Sequence, residues 1–307
     1  MELKQLRQFI VVAEELNFRR AATRLCMTQP PLSAAIKRLE QVVGAPLFDR
    51  TRSAVSLTPT GVVFLREARY LLRQSEVSVE VARGAAQGSH EVLRIKSIDS
   101  AMLTLLPSLL ERFQAVEPGI RLSLSTGSTQ EIISALENGS IDVGVCVPGG
   151  GSYPHLQTQA FGLERFCLAV PVTHRWTGKT SVSLPELSNE KLVTHYPHTA
   201  SPGYHAAVSV ILQQVGAQVQ VLQSEPDLLA TLTLVRLGLG IALIPASTRC
   251  IGIPGVQYID LCTSHGQPLG YPIVLAVRNE HASDAAVRLC RFADRAYGGA
   301  PQAGHIS

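Results

Sequence analysis

Short paired cysteine spacings are missing from this chain. Its six cysteines, Cys26, Cys146, Cys167, Cys250, Cys262 and Cys290, stand far apart, and Cys146 lies within the apolar run Val143 to Val147. That scatter excludes a zinc knuckle and a disulfide framework and predicts reduced, buried thiols in a cytoplasmic protein. His195, His198 and His205 cluster in sequence, but their spacing fits no common metal-ligand pattern, so no metal is expected. Gly149-Gly150-Gly151 lacks the strand-turn-helix context of a nucleotide fingerprint, and no serine has a His and an acid placed to form a triad. Neither a cofactor nor an enzyme is therefore expected.

The N-terminus also lacks a basic-then-apolar pattern, because Glu2, Lys4, Arg7, Glu14 and Glu15 interrupt the first apolar stretch, so no secretory leader is expected. The most membrane-like segment, Leu228 to Ala246, is broken by Arg236, Gly238, Gly240 and Pro245 and reads as a helix followed by a strand. No membrane partner is expected. The length, 307 residues, suits two or three domains.

The net charge of +3 is small, and its distribution is more informative than its size. Residues 1–60 hold nine basic side chains against five acidic, a surplus of four, which leaves the rest of the chain at one net negative. The anion-seeking field therefore belongs to the N-terminal module.

That module opens with Leu3, Leu6, Phe9, Ile10, Ala13 and Leu16 at helical spacing, followed by a second helix carrying Ala21, Ala22 and Leu25. Thr28 is placed to cap a third helix, with Pro30 and Pro31 in its first turn, where backbone N–H groups lack intrahelical partners. Leu32, Ile36 and Leu39 face the core, Gly44 ends the helix, and Phe48 to Leu57 alternates as a two-stranded wing would. Two helices joined by a tight turn and followed by a basic hairpin suit a helix laid in DNA. The expected contacts are Thr28, Gln29 and Ser33 with base edges or nearby phosphates, and Pro30 and Pro31 with a thymine methyl. Lys37 and Arg38 would hold phosphates, and Arg50 and Arg52 on the wing would reach the backbone or minor groove. Each charge taken singly could also be an ordinary solvated one.

Thr58-Pro59 caps a helix that can run from Thr60 to about Ala86, roughly 40 Å at the usual rise. Leu65, Leu72 and Val79 repeat every seven residues, with Val62 and Ala68 on or near the stripe, and this seam predicts dimerisation. The alternative is a helix packed on its own domain. Gly84 to Ser89 reads as a hinge.

Beyond it strands alternate with helices, in the βαβ rhythm of an α/β domain. Val92 to Ser97, Ile120 to Ser125 and Ile141 to Val147 read as strands, with Ala101 to Val116 and Thr129 to Asn138 as the helices between them. The later strands are Phe166 to Val170, Lys191 to His195, Val219 to Leu222, Gly240 to Ile244 and Tyr271 to Val277. The later helices are Tyr204 to Val215, Asp227 to Leu237 and Ala282 to Ala296. Two lobes joined by two crossover strands account for this count. Ser100, Ser128 and the loop Ser201 to Tyr204 fall at helix starts, where converging N–H groups favour a carboxylate. Each serine could equally be only an N-cap.

Met1 to Phe9, Ala21 to Leu25, Thr28 to Ser33, Ile36 to Glu40, Leu47 to Arg50 and Leu57 to Gly61 together resemble a LysR-type transcriptional regulator. Leu105-Leu106-Pro107, Leu136 to Gly144 and Gly238 to Pro245 are similar to that family's effector domain. Leu192 to Pro197 with Ser201-Pro202-Gly203-Tyr204 resembles the subgroup controlling catechol, benzoate and chlorocatechol degradation, whose effectors include muconate-like dicarboxylates.

The resemblance implies a winged helix-turn-helix domain over 1–59 and a linker helix and hinge over 60–88. It further implies a periplasmic-binding-protein-like α/β effector domain over 89–300, with lobe I at about 89–162 and 268–300, lobe II at about 163–267, and a disordered tail at 301–307. It assigns Ser97, Ser100, Ser128, Ser201, Pro202, Gly203 and Tyr204 to effector binding. It implies promoter DNA, a small anionic effector and further copies of the chain as partners, a homodimer through the linker helix and a homotetramer, with RNA polymerase as a further candidate. A related regulator sensing redox state through Cys167 and Cys250 is the alternative.

Overall fold

The computed structural model describes residues 1–50, 55–86, 91–149, 153–195, 201–215, 220–225, 228–280 and 282–297. Arg52, His198, Tyr196-Pro197, the second half of the expected hinge and the C-terminal tail lie outside the described residues, while the hinge's first half, Gly84 to Ala86, belongs to a helix. The chain divides into two compact units, one comprising Met1–Glu91 with Glu137–Ser140 and one comprising Val92–Leu136 and the chain from Ile141 onward.

In the first unit, α1 (Leu3–Glu15) buries Leu6, Phe9, Val12 and Ala13 along one face. The Asn17 side chain accepts hydrogen bonds from the N–H groups of Arg19 and Arg20 and so opens α2 (Phe18–Arg24). α3 (Gln29–Val43) buries Leu32, Ala35, Ile36 and Leu39 and ends at Gly44, whose φ of 79° is the left-handed conformation glycine allows. The wing is β1 (Phe48–Arg50) paired antiparallel with β2 (Val55–Leu57), Phe48 opposite Leu57.

Phe9 is fully buried and meets Phe48 and Phe64 at ring-centroid distances of 5.4 and 5.1 Å. Its burial contributes about 2–3 kcal/mol. The Thr58 hydroxyl accepts from the Gly61 N–H at 2.9 Å and donates to the Pro46 carbonyl at 2.8 Å, which caps α4 (Pro59–Ala86) and ties it to the wing. The seven-residue stripe on α4 is divided: Ala68 is buried, Leu65 and Leu72 pack against this unit's own core, and Val62 and Val79 are exposed. Leu65 and Leu72 are held by this domain because α1 lies along α4 and supplies the apolar cover.

The second unit begins with β3 (Val92–Ser97), α5 (Asp99–Leu103), α6 (Leu105–Val116), β4 (Arg121–Thr126), α7 (Thr129–Glu137) and β5 (Val143–Cys146). The single helix expected over Ala101 to Val116 is broken at Thr104, whose φ and ψ are −136° and −66°. Pro107 explains the break: it has no N–H for the Leu103 carbonyl, so a new helix starts just before it.

β6 (Leu156–Pro171) is much longer than the strand expected at Phe166 to Val170. β7 (Ser181–Ser183), β8 (Lys191–His195), α8 (Pro202–Val215), β9 (Gln220–Glu225), α9 (Leu228–Arg236) and β10 (Ile241–Pro245) follow. β11 (Val256–Cys262), β12 (Gly270–Arg278) and α10 (Asp284–Tyr297) complete the unit. The sheet order is β4-β3-β5-β12-β6-β10-β8-β9, with β11 lying between β6 and β7.

β6 joins the two lobes. Its first part, Leu156 to Arg165, pairs with β12, and its last part, Phe166 to Pro171, pairs with β10 and β11. At the change of partner, Glu164 is buried and accepts a hydrogen bond from the Ser247 N–H at 3.0 Å. Among the described residues no helix is long and apolar enough to cross a membrane.

Candidate functional site: a helix face and an interlobe cleft

In the first unit the basic side chains fall into two groups. Arg20 and Arg24 are paired with Glu15, and Arg24 also with Glu14, so α1 and α2 neutralise much of their own charge. Lys37 and Arg38 on α3 are exposed and have no acidic partner among the described residues. The residues that bury Leu32, Ile36 and Leu39 leave Gln29, Pro30, Pro31, Lys37 and Arg38 together on the outer face, with Ser33 half-buried beside them. Thr28 holds the N-cap position but makes no side-chain cap hydrogen bond. The Glu40 carboxylate accepts from the N–H groups of Leu47 and Phe48 at 3.0 and 3.4 Å, fixing the start of the wing against the end of α3. The wing backbone includes Arg50, while Arg52 lies outside the described residues.

In the second unit a cavity of about 20 Å³ lies between the lobes. Ser100, Ser201 and Tyr204, all buried, reach its wall, joined by Thr248 and Tyr271. Tyr204, Tyr271 and Phe166 form an aromatic cluster with centroids 4.9 to 5.8 Å apart, and the Tyr204 hydroxyl donates to the Leu243 carbonyl at 3.4 Å. Asp99 is the one charged residue among the described lining residues.

The other expected effector residues are used differently. Ser97 is buried and donates to the Ile98 carbonyl at 2.9 Å. Pro202 and Gly203 do not line the cavity but form the lobe contact: a methyl group at 203 would overlap the Pro148 carbonyl oxygen. Ser128 makes a reciprocal cap with Glu131, its N–H donating to the Glu131 carboxylate at 2.8 Å while its Oγ accepts from the Glu131 N–H at 3.3 Å. These bonds, with Lys96 nearby, hold the Glu131 carboxyl below its ordinary value. It is the neighbouring Thr129 that faces the other lobe, its N–H pointing to the Ser201 Oγ at 3.5 Å.

Thr129, Thr248 and Tyr271 were missed in sequence. The Ser-x-x-Glu spacing of Ser128 and Glu131 is a capping-box signal that marks the Ser128 hydroxyl as already engaged. Thr248 follows the carboxyl end of buried β10, where open α/β sheets bind ligands. Nothing in the local sequence around Tyr271 marked it.

No cysteine is among the described residues that line this cavity, although the Cys167 thiol donates to the carbonyl of Pro245, which does, and the expectation of buried thiols fails at Cys26 and Cys250. Cys167 is fully buried, and burial pushes its thiol up to about 12, whereas Cys250 is exposed. Among the described residues no group of three or more His, Cys, Asp or Glu is placed to hold a metal ion.

Residues 3–62 match the bacterial regulatory helix-turn-helix protein family of lysR type, and residues 86–295 match the LysR substrate binding domain. The transcriptional regulator IlvR of Caulobacter vibrioides is 32% identical over 265 residues, covering 85% of this chain and 88% of that protein. The regulator BenM of Acinetobacter baylyi is 32% identical over 288 residues, covering 92% of each. Among solved structures, full-length CbnR complexed with its target DNA superposes with a TM-score of 0.66 at 27% identity, covering 96% of this chain and 99% of that one.

Proposed function

The chain belongs to the LysR family of DNA-binding transcriptional regulators, and we propose that it is an effector-dependent activator of a catabolic operon, responding to a small carboxylate of the aromatic-acid or muconate-like kind. The observation that carries the effector reading is the meeting of Ser100, Ser201 and Thr248 with the aromatic cluster in one cavity between the lobes. The Ser100 and Ser201 hydroxyls can hold a carboxylate, whereas the Thr248 hydroxyl already donates to the Pro245 carbonyl and only shapes the wall, and the rings suit a flat apolar body. With Asp99 as the one charged lining residue, a carboxylate here is held by hydroxyl donors alone, and since Ser100 and Ser201 can serve one such group, an acid with a single carboxylate fits better than a dicarboxylate.

A cavity of about 20 Å³ holds no organic acid. The effector therefore has to part Ser201 from Thr129 and Gly203 from Pro148, and a ligand that favours the parted lobes shifts the population toward them. α3 lies in the major groove with Gln29 and Ser33 at base edges and Thr28, Pro30 and Pro31 beside them; Lys37, Arg38 and the wing arginines Arg50 and Arg52 hold phosphates. The exposed apolar residues of α4, Val62, Val63, Leu71 and Val79, support a homodimer through that helix, from which a tetramer is built. The site of action is the cytoplasm, at a promoter shared with RNA polymerase.

Fluorescence anisotropy on the chain's own upstream intergenic DNA, titrated with benzoate and separately with cis,cis-muconate, tests the reading. A ligand-dependent change in affinity or stoichiometry supports it, and retention of DNA with no response to either acid contradicts the effector class.

A further inference from the structure

A second cavity, of about 180 Å³, lies within lobe I against α7, sharing Val147 with the interlobe cavity but none of Ser100, Ser201 and Thr248. Ile133 of α7, Leu156 of β6 and Val274 of β12 give it apolar sides, with Tyr153 alongside. No charged side chain is among the described residues that line it, and the Cys146 thiol in its wall is held neutral by burial, which pushes it up to about 12. Thr129, fully buried in the same wall, has an Oγ1 with no hydrogen-bond partner.

A buried hydroxyl without a partner is costly and uncommon, and a ligand hydroxyl placed in this cavity would satisfy it. The space matches one six-membered ring: an apolar cavity of about 150 Å³ accommodates benzene. A carboxylate would lose its hydration here with no cation to replace it.

We propose that this lobe I cavity is a second ligand site that takes a compact, uncharged single-ring molecule bearing one hydroxyl, of the phenol class, hydrogen-bonded to Thr129. Its wall is also the lobe contact. The Thr129 N–H faces Ser201, and Pro148, which lines the cavity, packs its carbonyl against Gly203. A ring that props this wall changes how readily the lobes part, so the two ligands are energetically coupled.

The experiment is calorimetric titration of the full chain with phenol, comparing wild type with Thr129→Val, Thr158→Phe and Ser100→Ala. Thr158 lines the cavity from an exposed strand position, where a larger side chain is tolerated, and circular dichroism with Tm confirms that each variant is folded. Phenol binding is expected in wild type, weakened about fivefold in Thr129→Val, abolished in Thr158→Phe and unchanged in Ser100→Ala. Absence of phenol binding to wild type, or binding that survives Thr158→Phe or is lost in Ser100→Ala, overturns the proposal. Ser100→Ala separates the two sites, because its loss of response to benzoate with phenol binding retained concerns the cleft alone.

Discussion

Gly203 at the start of α8 lies so close to Pro148 at the end of β5 that the Pro148 carbonyl oxygen fills the space a Cβ would need. This contact crosses from lobe II to lobe I, and neither backbone can yield without moving its lobe. Gly203→Ala is therefore expected to hold the lobes apart and to lower the stability of the effector domain by about 1–3 kcal/mol. Chemical unfolding measures the loss, and DNA affinity without effector shows whether the parted state alone alters binding.

The unpaired charges of α3 make a quantitative forecast about salt. Lys37→Ala and Arg38→Ala should each weaken DNA binding on operator and unrelated DNA alike, and each should reduce the slope of log affinity against log salt by about one. Ser33→Ala should weaken operator binding more than non-specific binding. Anisotropy over a range of salt concentrations separates the two behaviours.

Ser128 and Ser201 should part company. Ser128→Ala removes a helix cap and is expected to cost about 1 kcal/mol of stability with induction retained. Ser201→Ala, in the cleft, should impair the response to effector while leaving DNA binding intact. A reporter assay of induction beside a melting curve distinguishes them.

Glu164 predicts a pH dependence. Burial raises its carboxyl above the ordinary value, against hydrogen bonds from Ser247, Ala246 and Arg165 that pull it down. Since the folded pKa exceeds the unfolded one, the group's contribution is full below about pH 4 and is lost as pH rises through the raised value. The stability of wild type relative to Glu164→Gln should therefore fall between mildly acid and neutral pH. A difference that rises instead would mean the carboxylate is favoured in the fold.

Cys167, fully buried and with its thiol pushed up to about 12 by that burial, should resist iodoacetamide in the native protein while exposed Cys250 reacts. Because Cys26, in the turn between α2 and α3, is also exposed, the experiment is done on Cys26→Ser; alkylation of Cys250 there is expected to leave DNA binding and induction unchanged, and loss of induction would instead support cysteine-based sensing.

The N-terminal fold was legible in the sequence because Leu32, Ile36 and Leu39 and the paired prolines carry helix period and helix start within a few residues. The α/β alternation was legible for the same reason in its buried strands, such as Ile241 to Pro245. Four features were not. The first half of β6 is mixed in polarity, because a crossover strand is covered unevenly, and β11 was passed over. The break at Thr104 depended on Pro107, which reads equally well as part of a helix start. The α4 stripe served two surfaces at once: its period was visible, but which of its residues α1 would cover depended on tertiary packing. In the cleft, Ser100, Ser201 and Tyr204 were found from helix starts, while Thr248 and Tyr271 come from strand ends that only the fold brings together.

The central claim is that a DNA-binding face on α3 is governed by a small acid held between the lobes. Its most direct test is gel retardation of the upstream intergenic DNA by wild type, by Lys37→Ala with Arg38→Ala, and by Ser201→Ala, each with and without benzoate. Retention by wild type that changes with benzoate, weakened retention by the α3 double variant, and undiminished but benzoate-insensitive retention by Ser201→Ala are expected. No retention by wild type at low salt, or full sensitivity to benzoate in Ser201→Ala, would contradict it.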